Sequence, residues 1–202
     1  MPLSIYQLKP RFQQLLFPLA RGLYGLGVTA NQVTLFACGV SVALGLVLYL
    51  APLPLGWFAL LPIWLFLRMA LNAVDGILAR QFDQRSVLGA YLNELTDVLS
   101  DAALYLPFAR LAGFDPLLIG ALILAAALSE MAGVLGEALG ASRRYDGPFG
   151  KSDRAFFFGA LGLAVALWGP LPTLVGWALP LAVALTVLTV INRVRAGVEA
   201  RR

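Results

Sequence analysis

Asn72, Asp75, Asn93, Asp97 and Asp101 all fall inside hydrophobic segments of a 202-residue chain. On a helix, Asn72 and Asp75 are three residues apart and share one face. Gly89, Asn93, Asp97 and Asp101 follow one another every four residues and form a stripe. Only a short connection separates the two segments, so their polar faces can meet. Several side-chain oxygens would then line one cavity, with a glycine allowing close approach. Hard oxygen donors of this kind suit Mg²⁺, Mn²⁺ or Ca²⁺. A bound cation would also remove the cost of carboxylates buried without partners. The competing chemistry for the same residues is adhesion between helices by hydrogen bonds and ion pairs, for example Arg80 with Asp75.

The elements that position these residues are apolar. The chain is 60% hydrophobic and 13% charged, with a mean hydropathy of +0.82. That excludes disorder and points to a polytopic membrane protein. There is no histidine, which removes the commonest general base and zinc ligand, and the single cysteine, Cys38, excludes an internal disulfide. We read an all-α integral membrane bundle of six transmembrane helices, over 32–50, 57–80, 87–111, 117–139, 155–168 and 173–194. Most of them are near the ~20 residues that a crossing needs. Segments 51–56, 112–116 and 169–172 read as tight outer turns rich in Gly and Pro.

Residues 1–28 read differently. Phe12, Leu15, Leu16, Leu19 and Leu23 recur at helical spacing, which predicts an amphipathic interfacial helix broken near Pro18. A signal peptide fits poorly, because Arg21 interrupts the apolar run and no small-residue cleavage site follows. The chain therefore divides into residues 1–28, the interfacial helix, and residues 29–202, the six-helix domain. Of 15 Lys and Arg residues, 13 fall in the N-terminal segment, in or beside the loops after the second and fourth spans, or at the C-terminal end. The positive-inside rule then places both termini and those loops in the cytoplasm of a bacterial-type inner membrane. The net charge of +4 is an orientation signal and makes no case for nucleic acid.

Six acids fall within the predicted spans: Asp75, Glu94, Asp97, Asp101, Glu130 and Glu137. Ionisable groups at that depth usually face a bundle interior or a wet cavity. Glu130 and Glu137, seven apart on one face, read as bridges to arginines such as Arg68 or Arg80. The loop after the fourth span gathers Arg143, Arg144, Lys151 and Arg154. Those four read either as an anion pocket or as ordinary cytoplasmic loop charge; Gly147, Pro148 and Gly150 favour a shaped loop and tip the reading to the pocket. The segment Thr29-Ala-Asn-Gln-Val-Thr34 reads first as helix-capping chemistry. Phe156, Phe157 and Phe158 read as a lipid or dimer contact.

The stretch from Asn72 to Asp97 resembles the signature of the CDP-alcohol phosphotransferases (CDP-alcohol phosphatidyltransferases), D-x2-D-G-x2-A-R-x8-G-x3-D-x3-D. The matching positions are Asn72, Asp75, Gly76, Ala79, Arg80, Gly89, Asn93 and Asp97; every spacing agrees, and six of the eight identities do. Asn72 and Asn93 stand at the first and third aspartate positions. The resemblance covers residues 31–154 and extends to the six-helix topology. It implies transfer of a substituted phosphate, usually phosphatidyl, from a CDP-linked lipid such as CDP-diacylglycerol to an alcohol acceptor, with release of CMP, in phospholipid biosynthesis. The cofactor it implies is a divalent cation, Mg²⁺ or Mn²⁺, on Asn72, Asp75, Asn93 and Asp97. It also implies nucleotide contacts at Asp75, Gly76, Ala79, Arg80 and Gly89, with Asp97 as the general base. A role beside the bound nucleotide is then the alternative to capping for residues 29–34. Without histidine, a carboxylate is the remaining suitable base on this face. Asp101 is a candidate auxiliary acid, and Arg143, Arg144, Lys151 and Arg154 are candidates for the acceptor or its phosphate. Family members often form homodimers. The two asparagines keep the ligand shape with less charge, which motivates an alternative: a catalytically silent member that binds CDP-lipid or metal. Intramembrane acids alone would also suit a proton-coupled transporter, but here they cluster on the cytoplasmic side, away from the bilayer midplane where transporter sites lie.

Overall fold

A computed structural model describes residues 5–200, with side chains from residue 12 onward. Residues 1–4 of the expected interfacial segment, and the side chains of Lys9 and Arg11, lie outside the described residues. Among these all regular structure is helical: α1 (Ile5–Gly25), α2 (Ala30–Leu50), α3 (Leu60–Gln81), α4 (Val87–Tyr105), α5 (Pro116–Ala138), α6 (Lys151–Trp168) and α7 (Pro172–Glu199). Short 3₁₀ turns at Leu55–Ala59 and Leu106–Arg110 lead into α3 and out of α4. By contacts the chain forms two compact units, residues 1–40 with 66–97, and residues 41–65 with 98–202.

In the first unit, α1 turns a face bearing Leu16, Phe17, Ala20 and Leu23 onto Val74, Ile77 and Leu78 of α3. Phe17 and Tyr24 both stack on Phe82, with centroids 5.9 and 4.5 Å away. The break expected near Pro18 is absent, and the helix runs through it. Pro18 lies on the exposed side, where the carbonyl it leaves without a donor is not shut inside protein. α1 stops where Gly27 adopts φ +78, and Val28 N–H donates to Leu23 O and Gly27 N–H to Tyr24 O, a Schellman ending. α2 then opens with a capping box: Thr29 N–H donates to Gln32 Oε1 and Gln32 N–H to Thr29 Oγ1. The connection to α4 is tied back by Ala30 N–H donating to Gln84 Oε1 at 2.7 Å. Ser86 caps α4 by accepting from Gly89 N–H at 2.9 Å.

The second unit is built on a large apolar core. Tyr105 of α4 stacks on Phe158 of α6 at 3.8 Å, and Phe108 joins both Phe58 and Phe158. α5 packs along α7, and α6 packs on the Leu55–Ala59 turn. Gly45 of α2 lets the Ala103 carbonyl approach until a Cβ would stand 2.1 Å from its oxygen. The third expected span, drawn to residue 111, ends as α-helix at Tyr105. Pro107 has no N–H to continue the ladder, and the chain tightens into a 3₁₀ turn. The fifth, drawn from 155, begins at Lys151, because Asp153 accepts from Gly150 N–H and caps the start.

Among the described residues, four segments are long and apolar enough to cross a membrane: α2, Leu55–Gln81, α5 and α7. α4 carries Glu94, Asp97 and Asp101, and α6 opens with Lys151, Asp153 and Arg154, so charge keeps both out of that set.

Candidate active site

α3 carries Asn72, Asp75, Gly76, Ala79 and Arg80, and α4 carries Gly89, Asn93, Asp97 and Asp101. The two halves of the motif meet at Asp97. Asn72 Nδ2 donates to Asp97 Oδ1 at 3.0 Å. Arg68, one turn before Asn72, donates to the same oxygen at 3.1 Å and to the Asp97 carbonyl at 3.0 Å. Arg68 is buried and Asp97 is half-buried, so this ion pair sits largely away from water and holds the carboxylate in one orientation. Asp75 is also buried, and its Oδ2 accepts from Thr34 Oγ1 of α2 at 2.8 Å. Asn93, half-buried, donates to Glu94 Oε1 at 3.2 Å.

The two motif glycines are places of close approach. A Cβ on Gly89 would lie 2.7 Å from Asn31 Oδ1 and 3.0 Å from Ser86 Oγ, so the Asn31 amide from α2 occupies the space above it. A Cβ on Gly76 would lie 2.7 Å from an Arg80 guanidinium nitrogen; the arginine folds back over its own helix by one turn. Ala79 packs against the apolar core of this unit.

Arg68 is absent from the candidate site residues, and Asn31 and Thr34 enter only within a segment read first as capping. A signal for each was present. Arg68, Asn72 and Asp75 follow an i, i+4, i+7 spacing and share one helical face. Within 29–34, Thr29 and Gln32 perform the capping, whereas Asn31 and Thr34 share another face and turn to the motif residues.

The second unit holds the basic residues. Arg154, fully buried, donates from Nη2 to Glu130 Oε1 at 2.8 Å and from Nη1 to Ser129 Oγ and the Phe149 carbonyl. Arg193 of α7 lies 3.4 Å from Glu130 Oε2 and donates to the Ser129 carbonyl. Arg143 reaches the same Oε2 at 3.9 Å and lies over the Tyr145 ring. Arg144 donates to the Ala196 carbonyl, and Lys151 opens α6 half-buried. Asp101 Oδ2 is 4.0 Å from Arg154. The loop is shaped as its glycines suggest: Gly147 has φ +132, and a Cβ there would meet Thr189 at 2.6 Å.

Glu130 therefore pairs with Arg154, Arg193 and Arg143, and the bridge to Arg68 or Arg80 is corrected. Arg68 lies on Asp97 instead. Sequence spacing ranks the faces of one helix but does not choose the facing helix. Glu137 is exposed. Arg193 was the missed member of this group, and it ends a buried polar stripe on α7, Thr186, Thr189 and Arg193.

A divalent cation must find oxygen donors here. Among the described residues no three Asp, Glu, His or Cys side chains gather closely enough to hold a metal. The donor chemistry fits a hard cation when the amide oxygens of Asn72 and Asn93 count beside Asp75 and Asp97.

Residues 27–188 match the family model described as CDP-alcohol phosphatidyltransferase. The chain belongs to the CDP-alcohol phosphatidyltransferase family. As such it is a transferase of phospholipid synthesis and an integral membrane protein, and members of this family use a divalent cation. It is 47% identical over 196 residues to the inner membrane protein YnbA of Escherichia coli K12, covering 96% of each chain. It is 31% identical over 157 residues to the archaetidylinositol phosphate synthase of Aeropyrum pernix, covering 72% of this chain and 79% of that one. Among solved structures, the phosphatidylinositol phosphate synthase of Mycobacterium tuberculosis with CDP-DAG bound shares the phosphatidyltransferase fold. Its TM-score is 0.73 at 22% identity, over 89% of this chain and 92% of that chain. The same synthase in complex with manganese and citrate matches with a TM-score of 0.74 at 22% identity, over 91% of this chain and 88% of that one.

Proposed function

We propose that this phosphatidyltransferase transfers a phosphatidyl group from CDP-diacylglycerol to an alcohol, with Asp97 as general base and Asn72, Asp75, Asn93 and Asp97 as ligands of Mg²⁺ or Mn²⁺. The observation that carries this reading is the Asn72–Asp97 hydrogen bond, which joins the α3 and α4 halves of the motif at the residue assigned as base. A cation bound there supplies positive charge against the pyrophosphate of the donor. Asp97 accepts the proton of the acceptor hydroxyl as its oxygen forms a bond to the phosphorus bearing diacylglycerol. The bond from that phosphorus to CMP breaks, and CMP leaves with the electron pair. Arg68 and Asn72 hold the Asp97 carboxylate from one side, so the base does not have to be oriented during the step. Gly76, Ala79, Arg80 and Gly89 line the nucleotide with Asp75; Asp101 serves as an auxiliary acid. Arg143, Arg144, Lys151 and Arg154 belong to the acceptor end.

Asn72 and Asn93 take the places of the first and third aspartates of the family signature. An amide oxygen ligates with one less negative charge, so metal affinity is lower here than with four carboxylates. The membrane arrangement is six spans, α2 to α7, in the domain 29–202. Residues 1–28 lie in the interface, and both termini and the site face the cytoplasm, in line with the distribution of Lys and Arg. The exposed apolar side chains Phe156 and Trp177 are available to lipid or to a second copy in a homodimer.

The test is incubation of the purified protein with CDP-diacylglycerol, Mn²⁺ and a panel of alcohols, with the new lipid followed by mass spectrometry. A lipid product that disappears on chelation supports the reading. Binding of CDP-diacylglycerol with no product from any alcohol would move the protein to a silent, ligand-binding role.

A further inference from the structure

We propose that Glu130 takes the place of an anion among Arg143, Arg154 and Arg193, so that the acceptor alcohol of this enzyme carries no phosphate. The inference rests on the acceptor role assigned above to that loop.

The two oxygens of one carboxylate span three guanidinium groups. Oε1 is 2.8 Å from Arg154 Nη2, and Oε2 is 3.4 Å from Arg193 Nη1 and 3.9 Å from Arg143 Nη2. A phosphate monoester would use the same groups, because guanidinium donors pair with its oxygens as they do with a carboxylate. Here Glu130 and neighbouring groups already take terminal guanidinium nitrogens of these arginines, while Nε of Arg144, Arg154 and Arg193 has no hydrogen-bond partner among the described residues. The second terminal nitrogen of Arg154 serves Ser129 Oγ and the Phe149 carbonyl, and Arg193 serves the Ser129 carbonyl. Arg144 is drawn away to the Ala196 carbonyl. Glu130 is buried at 9% exposure, on a helix apolar enough to cross the membrane. An incoming phosphate would have to displace it and leave a buried carboxylate without its cations, which is strongly unfavourable.

The cavity beside this group points the same way. At about 10 Å³ it has room for no more than one water molecule, and it is lined by Asp101, Tyr105 and Glu130 together with the small residues Ala102, Ala126 and Ala127. Asp101 and Glu130 bring carboxylate oxygens to it, which accept hydrogen bonds from hydroxyls. With Glu130 seated among the three arginines, the acceptor this group suits is an uncharged, hydroxyl-bearing alcohol.

The test uses the purified full-length protein in detergent. Wild type is titrated with inorganic phosphate by calorimetry, and the expected affinity is weaker than about 1 mM. Glu130→Gln is expected to bind phosphate at least about tenfold more tightly, the gain that one hydrogen bond to a charged group gives. In the transfer assay, glycerol and inositol are expected to react faster than their monophosphates. Sub-millimolar phosphate binding by wild type, or faster transfer to the phosphorylated alcohols, would overturn the proposal. The wild-type titration needs neither a folded variant nor turnover. A protein that transfers to no alcohol thus overturns the transferase reading, while the titration still decides the role of Glu130.

Discussion

Replacing Arg68 by methionine keeps most of the side-chain volume and removes two hydrogen bonds from Asp97, one to Oδ1 and one to the carbonyl. The size of the effect follows from the unequal burial of the pair: the Arg68 side chain is 4% exposed and that of Asp97 16%. Removing one partner of a buried pair costs about 3–5 kcal/mol. Without Arg68, the Asp97 carboxylate recovers some water and keeps the Asn72 donor, so Arg68→Met should cost less, about 2–3 kcal/mol. Asp97→Asn removes the charge that faces the more deeply buried guanidinium and should cost about 3 kcal/mol. The double variant removes both charges, and the cycle should return a coupling of about 2 kcal/mol or more. The assay is unfolding in mixed micelles of rising SDS fraction with a chelator present, followed by the fluorescence of the four tryptophans. Polar contacts between membrane helices average about 0.6 kcal/mol in such cycles. A coupling at or below that average would refute the view that Arg68 and Asp97 form a dry, specific pair.

Thr34→Val keeps the shape and deletes the hydrogen bond to Asp75. It should lower stability by about 1–2 kcal/mol in the same unfolding assay and weaken Mn²⁺ binding measured by electron paramagnetic resonance. Gly45→Ala places a methyl 2.1 Å from the Ala103 carbonyl oxygen. Backbone there cannot swing aside like a side chain, and a loss of at least ~2 kcal/mol, or failure to purify as a monodisperse protein, is the expected result.

The helices were legible because their signals are local. Apolar length marked the spans, the Thr29–Gln32 capping box marked the start of α2, and Pro170 after Gly169 marked the end of α6. The boundaries that moved did so for equally local reasons: Pro107 ends α4 early, and Asp153 starts α6 one turn sooner. Pro18 was misread because a proline on an exposed face interrupts the ladder without breaking the helix. The site was legible as two helical faces, since spacing of three and four residues says which side chains share a side. It could not say that Arg68 would take Asp97 or that Glu130 would take Arg154 and Arg193. Those pairings depend on which helix faces which, and on a loop whose course is set by Gly147 against Thr189.

The most direct test of the catalytic assignment is CMP release from CDP-diacylglycerol by wild type and Asp97→Asn, with Mn²⁺ binding measured on both. The account predicts metal-dependent CMP release by wild type and a loss of about 10²–10⁴-fold in the variant, the usual contribution of a general base. Mn²⁺ affinity should fall with the lost ligand charge, and the rates are compared at saturating Mn²⁺. Equal rates in the two proteins would contradict the assignment of Asp97 as the base.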